Sequence, residues 1–163
     1  MRVAIISDIH DNLVNLDKCL SWCEKEKIAQ LICCGDVTNA ETLGVISELF
    51  GGVVHLVRGN LEIYGEEEIK KYDNIKYYGR YGRLEIDGKK IGICHEPWFV
   101  DDILRLEKCD IVFYGHTHEP WIEERDGVKT INPGTLGGVF QKATFAVWDT
   151  AESEPELKIL ELL

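Results

Sequence analysis

Residues 111–119 read IVFYGHTHE: an apolar run of strand length that stops at a glycine and two histidines. In an extended chain alternate side chains share a face, so His116 and His118 are expected to project the same way from the strand end. Two imidazoles aimed at one point suit a metal ion or a phosphate. The same arrangement recurs along the chain. VAIIS (3–7) runs into Asp8 and His10, LICC (31–34) into Gly35 and Asp36, and VVHLV (53–57) into Gly59 and Asn60. KIGIC (90–94) runs into His95, and KTI (129–131) into Asn132, Pro133 and Gly134. Runs this rich in Val and Ile read as buried strands.

Between the early runs lie helical patterns. Leu13, Leu16, Leu20 and Cys23 follow a 3.6-residue period, with Asp11 or Asn12 placed to cap its start. Residues 41–50, ETLGVISELF, read as a second helix closed by Gly51, and residues 99–108 as a third. EEEIKKY (66–72) reads as a short exposed helix. Alternating strands and helices imply parallel strands with right-handed crossovers, and such sheets bind ligands beyond the carboxyl ends of their strands. The later sequence changes character. Asp87-Gly88 and Asp126-Gly127 each lie between alternating apolar residues, a hairpin signal, and ATFAVWD (143–149) and LKILEL (157–162) read as two further antiparallel strands. A two-sheet α/β sandwich flanked by helices uses all these parts.

The 163 residues suit one domain spanning 1–163, with no linker or repeat to divide it. A formal net charge of −11 argues against broad nucleic-acid binding by phosphate neutralisation, although a bound metal can supply positive potential locally. The six cysteines form no C-x-x-C pair, and Cys33, Cys34 and Cys94 lie in apolar runs, so reduced thiols in a cytoplasmic protein are expected. The opening MRVAIISDIH carries Asp8 and His10 and does not read as a signal peptide, and no run is long enough to span a membrane.

Asp8, His10, Asp36, Asn60, His95, His116 and His118 all fall at strand ends, on one expected rim. Seven N and O donors are too many for one small transition ion and suit two ions sharing a carboxylate. D-x-H, G-D, G-N, a strand-end H and G-H-x-H, in that order, resemble the signature of the calcineurin-like metallophosphoesterases. The short chain with INPGT at 131–135 looks most like their small YfcE/VPS29-type phosphodiesterase subgroup. The resemblance implies a four-layer α/β/β/α sandwich. It implies that Asp8, His10 and His118 hold one metal, that Asn60, His95 and His116 hold a second, and that Asp36 bridges them. Manganese is the favoured ion, with nickel, iron or zinc as alternatives. The implied reaction is hydrolysis of a small or nucleotide-like phosphoester by a metal-bridging hydroxide. A homo-oligomer would be in keeping with the subgroup.

One position departs from the pattern. Larger relatives carry histidine after G-N, where this chain has Leu61 in RGNLE, so no proton donor stands there. Esters with acidic leaving groups are therefore expected to react best. Glu62 would face away if the chain is extended. Arg58, just before G-N, is either a phosphate contact or a solvated strand-end arginine. Asn12 and Asn132 are candidate cleft residues, Asn12 equally a helix cap. His55, inside VVHLV, is expected to be a satisfied core or edge residue. Trp98 and Trp121 either border the cleft or, the favoured reading, fill the gap between layers or a subunit contact. The function of a different class that the sequence allows is a VPS29-like binding scaffold without turnover.

Overall fold

A computed structural model of the chain describes residues 1–163. The early βα pattern forms as expected. Strands β1 (Arg2–Ile6), β2 (Gln30–Cys33) and β3 (Val53–Leu56) pair in parallel, with α1 (Leu13–Lys25) and α2 (Ala40–Leu49) as the crossovers. After the short helix α3 (Glu66–Ile69) comes β4 (Ile75–Tyr77), a parallel strand that three residues of sequence did not announce. The two Asp-Gly pairs turn hairpins β5–β6 (Tyr81–Ile86, Lys89–Cys94) and β8–β9 (Trp121–Arg125, Val128–Asn132). All four turn residues have positive φ, from 51° to 76°, as two-residue turns of this kind require. Helix α4 (Phe99–Leu106) and β7 (Ile111–Phe113) lie between those hairpins. β10 (Thr144–Asp149) and β11 (Glu156–Ile159) are antiparallel, but LKILEL is strand only to Ile159 and turns into a 3-10 helix at Leu160–Leu162. Gly51 does not cap α2: the helix ends on Phe50 in an extended conformation.

One sheet has the order β11-β10-β1-β2-β3-β4, the other β5-β6-β7-β9-β8. Strand alternation sorts their side chains into three apolar layers. Ala4, Ile6, Leu31 and Leu56 face α1 and α2. Val3, Ile5, Ile32, Ile93, Phe113 and Trp148 meet between the sheets, where the Phe113 and Trp148 rings stand edge to face at 6.0 Å. Cys94, Val112 and Tyr114 pack under Val100 and Ile103 of α4. The result is α/β/β/α, with a thin outer helical layer over the second sheet. The carboxyl ends of β1, β2, β3, β6 and β7 converge on one rim.

Candidate metal centre

The loop after β1 is fastened to the loop after β2. The N–H of Asp8 donates to Gly35 O at 3.0 Å, and those of Ile9 and His10 donate to Asp36 O at 3.0 and 3.1 Å. Glycines allow the remaining loops to close in. A Cβ on Gly59 would lie 2.0 Å from Asp36 Oδ1, and one on Gly115 would lie 1.9 Å from Ser7 Oγ. Asp8, His10, Asp36, His116 and His118 all hold left-handed backbone, with φ between 47° and 72°. Asp and His tolerate that region better than most residues, and strain of this sort persists where the surroundings enforce it.

This backbone alters the expected geometry of His116 and His118. They follow β7 in a left-handed loop, not in an extended one, and their rings serve opposite ends of the site. His118 Nε2 lies 3.2 Å from Asp8 Oδ1 and 3.1 Å from His10 Nε2. His116 Nδ1 lies 2.9 Å from Asn60 Oδ1, which is also 2.9 Å from His95 Nε2. Asp36 Oδ2 stands between the groups, 3.8 Å from His10 Nε2 and 3.3 Å from His95 Nε2. Its other oxygen accepts the Leu61 N–H at 2.9 Å.

The donor set fits a cation. His95 Nδ1 faces Cys34 O at 2.7 Å and His118 Nδ1 faces Val139 O at 3.3 Å. A carbonyl can only accept, so each Nδ1 carries hydrogen and the neutral ring turns its Nε2 lone pair inward, as metal-binding histidines do. For His95 that lone pair meets Asn60 Oδ1 and Asp36 Oδ2, acceptor against acceptors. Asp8 Oδ1 is buried with no hydrogen-bond donor of its own. Without an ion, a proton must relieve the crowding. Burial pulls the His95 pKa down, but Asp36 and Asp8 outweigh it and leave it raised. The facing Asp8 carboxylate raises the His118 pKa against the effect of burial. Burial pushes Asp8 and Asp36 up, yet the facing histidines hold both below the usual carboxylate range.

Several polar residues support the ligands from behind. Glu62 does not face away; it is buried and accepts the N–H groups of Val37 (3.1 Å), Thr38 (2.7 Å) and Gly59 (3.3 Å), clamping the loops after β2 and β3. Asp11, unassigned from the sequence beyond capping, accepts the Asn39 N–H and the Thr42 hydroxyl at the start of α2. Asn132 is buried and is not a cleft residue: its amide donates to Gly115 O and Thr117 Oγ1, bracing the histidine loop. Asn12 caps α1 by accepting the Asn15 N–H. Arg58 donates to the carbonyls of Glu62 and Tyr64, so its guanidinium bonds to a loop and not to the histidine cluster. His55 is buried between Tyr78 and Gln30, at 2.9 and 2.8 Å, as expected of a satisfied core residue. Trp98 does not fill a gap between layers: it is 58% exposed and its ring stands edge-on to His116 at 5.3 Å. Trp121, also exposed, lies on the edge strand β8.

Residues 1–153 match the calcineurin-like phosphoesterase superfamily domain. The chain is 30% identical to phosphodiesterase MJ0936 of Methanocaldococcus jannaschii, over 99% of this chain and all of that one. A solved structure described as a novel archaeal phosphodiesterase superposes with a TM-score of 0.87 at 26% identity, covering 98% of this chain and 99% of the other. Zinc-complexed Vps29 of Entamoeba histolytica shares the fold, with a TM-score of 0.70 at 21% identity over 96% of this chain and 90% of its own.

Proposed function

The chain belongs to the calcineurin-like phosphoesterase superfamily and is a metal-dependent hydrolase of phosphoric esters; from that premise we propose a two-metal phosphodiesterase acting on a small or nucleotide-like phosphoester. The crowding of acceptors around Asp36 carries this reading. One oxygen faces histidines of both groups while its partner oxygen is pinned by the Leu61 N–H. Asp8, His10 and His118 would hold one ion, Asn60, His95 and His116 the other, and Asp36 would be shared. Manganese is the proposed ion; nickel, iron and zinc favour the same mixed donors. When bound, such ions supply positive potential for the phosphate and ionise water near neutral pH.

The protein's own groups do the positioning. Glu62, Asp11 and Asn132 fix the three ligand loops, and the Nδ1–H bonds of His95 and His118 set those rings' tautomers. Arg58 steadies the loop at 62–64. Leu61, half exposed beside Asn60, offers no proton to a departing alkoxide. Aryl esters should therefore be cleaved far faster than dialkyl esters, and equal rates would show that another group protonates the leaving oxygen. The six unpaired thiols fit a reducing compartment, the cytoplasm. No helix is long and apolar enough to cross a membrane.

The test is hydrolysis of bis-p-nitrophenyl phosphate by metal-stripped protein titrated with Mn²⁺, beside Asp36→Asn. Turnover that rises with the metal and is lost in the variant supports the reading. Binding of Mn²⁺ without turnover points to the scaffold role.

A further inference from the structure

A row of side chains leads outward from the His116 end of the centre, and none of them is accounted for by metal binding. Trp98 stands next to His116, as described. Its ring is 6.3 Å from Phe99, which stacks on Tyr81 at 5.1 Å with 27° between planes. The Arg80 guanidinium lies over the Phe99 ring at 5.6 Å. Arg80 is also paired at 3.5 Å with Glu96, whose side chain is buried and whose second carboxylate oxygen has no hydrogen-bond partner. Phe99 is backed by Tyr81 and Glu96 is buried, while Trp98 and Arg80 remain mostly exposed.

Other apolar side chains of this chain are exposed too; what sets Trp98 apart is its place against His116. The rest of the neighbourhood narrows the ligand. The chain's net charge of −11 disfavours a polyanion. A flat, uncharged ring attached to a single phosphate would not be. Trp98 offers such a ring a stacking face, and Arg80 offers donors to acceptor atoms on its edge.

We propose that Trp98, Phe99 and Arg80 form a subsite for a nucleobase, so that the substrate is a nucleoside-bearing phosphoester whose base lies on this shelf while its phosphate occupies the metal centre. The inference rests on the two-metal reading of the site and assigns Trp98 and Arg80 as specificity determinants. Trp98 holds the base by stacking. Arg80, steadied by Glu96, closes the outer end.

Equilibrium binding tests it without relying on turnover. AMP and ribose 5-phosphate carry the same phosphate and sugar and differ in the base. Each is titrated calorimetrically into the Mn²⁺-loaded full chain, and the ligands are checked for integrity afterwards. AMP should bind about tenfold more tightly or better, the scale expected for one stacked base. Trp98→Ala should bring the ratio close to one, Trp98→Phe should keep most of it, and Arg80→Gln should reduce it. Equal affinities in the unaltered protein, or a preference that survives Trp98→Ala, would overturn the shelf. If the protein cleaves bis-p-nitrophenyl phosphate yet shows no base preference, only the shelf fails. If it neither cleaves that ester nor binds either ligand, the esterase reading fails and the shelf with it.

Discussion

Gly59→Ala tests how the centre is built. The new Cβ would sit 2.0 Å from Asp36 Oδ1, 2.2 Å from the Asp36 backbone nitrogen and 2.9 Å from its Cα. Unbonded carbon atoms rest about 3.5 Å apart, so the Gly59 loop and Asp36 would have to separate by about 1 Å. Most of the obstacle is backbone and cannot rotate aside. It is also held from the other side, because Glu62 binds the N–H groups of Gly59, Val37 and Thr38 together. Overpacking of this kind costs about 1–3 kcal/mol. For a chain of 163 residues that lowers the Tm of the metal-free protein by roughly 5 °C. The same displacement carries Asp36 Oδ2 away from His95 and His10, so Mn²⁺ affinity should fall by about tenfold or more. Gly65→Ala is the control: its φ is −93° and a Cβ there meets nothing within 4 Å. Scanning calorimetry of the metal-free proteins and titration with Mn²⁺ give the two readouts. A Gly59→Ala protein that melts and binds Mn²⁺ like the Gly65→Ala control would refute the close packing of these two loops.

Glu62→Gln should cost about 2–3 kcal/mol in urea unfolding, because three N–H groups lose a charged acceptor and the new amide NH₂ faces donors; a loss under 0.5 kcal/mol would mean the clamp is not held by charge. Burial, helped by the charge of Lys76, lowers the His55 pKa from 6.5 to about 4. Between those values the unfolded chain binds the proton and the folded one does not, so stability is full above pH 6.5 and declines as the pH falls toward 4, by up to about 3 kcal/mol. His55→Gln should lack that part of the decline in urea midpoints measured against pH, and an unchanged profile would exclude His55 as its source. The six thiols are buried, and burial pushes those of Cys33, Cys34 and Cys94 up, so the native protein should react with Ellman's reagent only on the timescale of unfolding, and all six promptly in guanidinium.

Much of this was legible in the chain because the signals were local. A Val/Ile run that stops at Asp, Asn or His marks both the strand and the rim where its last residue stands, and an Asp-Gly pair between alternating apolar residues dictates its own turn. What could not be read depended on distant partners. β4 is three residues long and is a strand only because Leu56 and its neighbours offer it an edge. An extended backbone would turn Glu62 away, whereas the chain bends there and brings its carboxylate under two loops. The left-handed backbone of His116 and His118 likewise accompanies a packing partner far off in sequence, Ser7 and Asp8 against Gly115 and His116. The sequence leaves Trp98 open between the cleft border and a layer gap or subunit contact, and it is the fold that sets it in solvent beside His116.

The seven candidate ligands come from both sheets: Asp8, His10, Asp36 and Asn60 follow strands of one, and His95, His116 and His118 follow strands of the other. Ions held there would bolt the two sheets together at one edge, while the rest of the joint is greasy contact such as Phe113 against Trp148. Metal affinity then becomes a caliper for the spacing between the sheets. A cavity cut into that joint, far from any ligand, would be felt at the rim as a change in how tightly the ions are held.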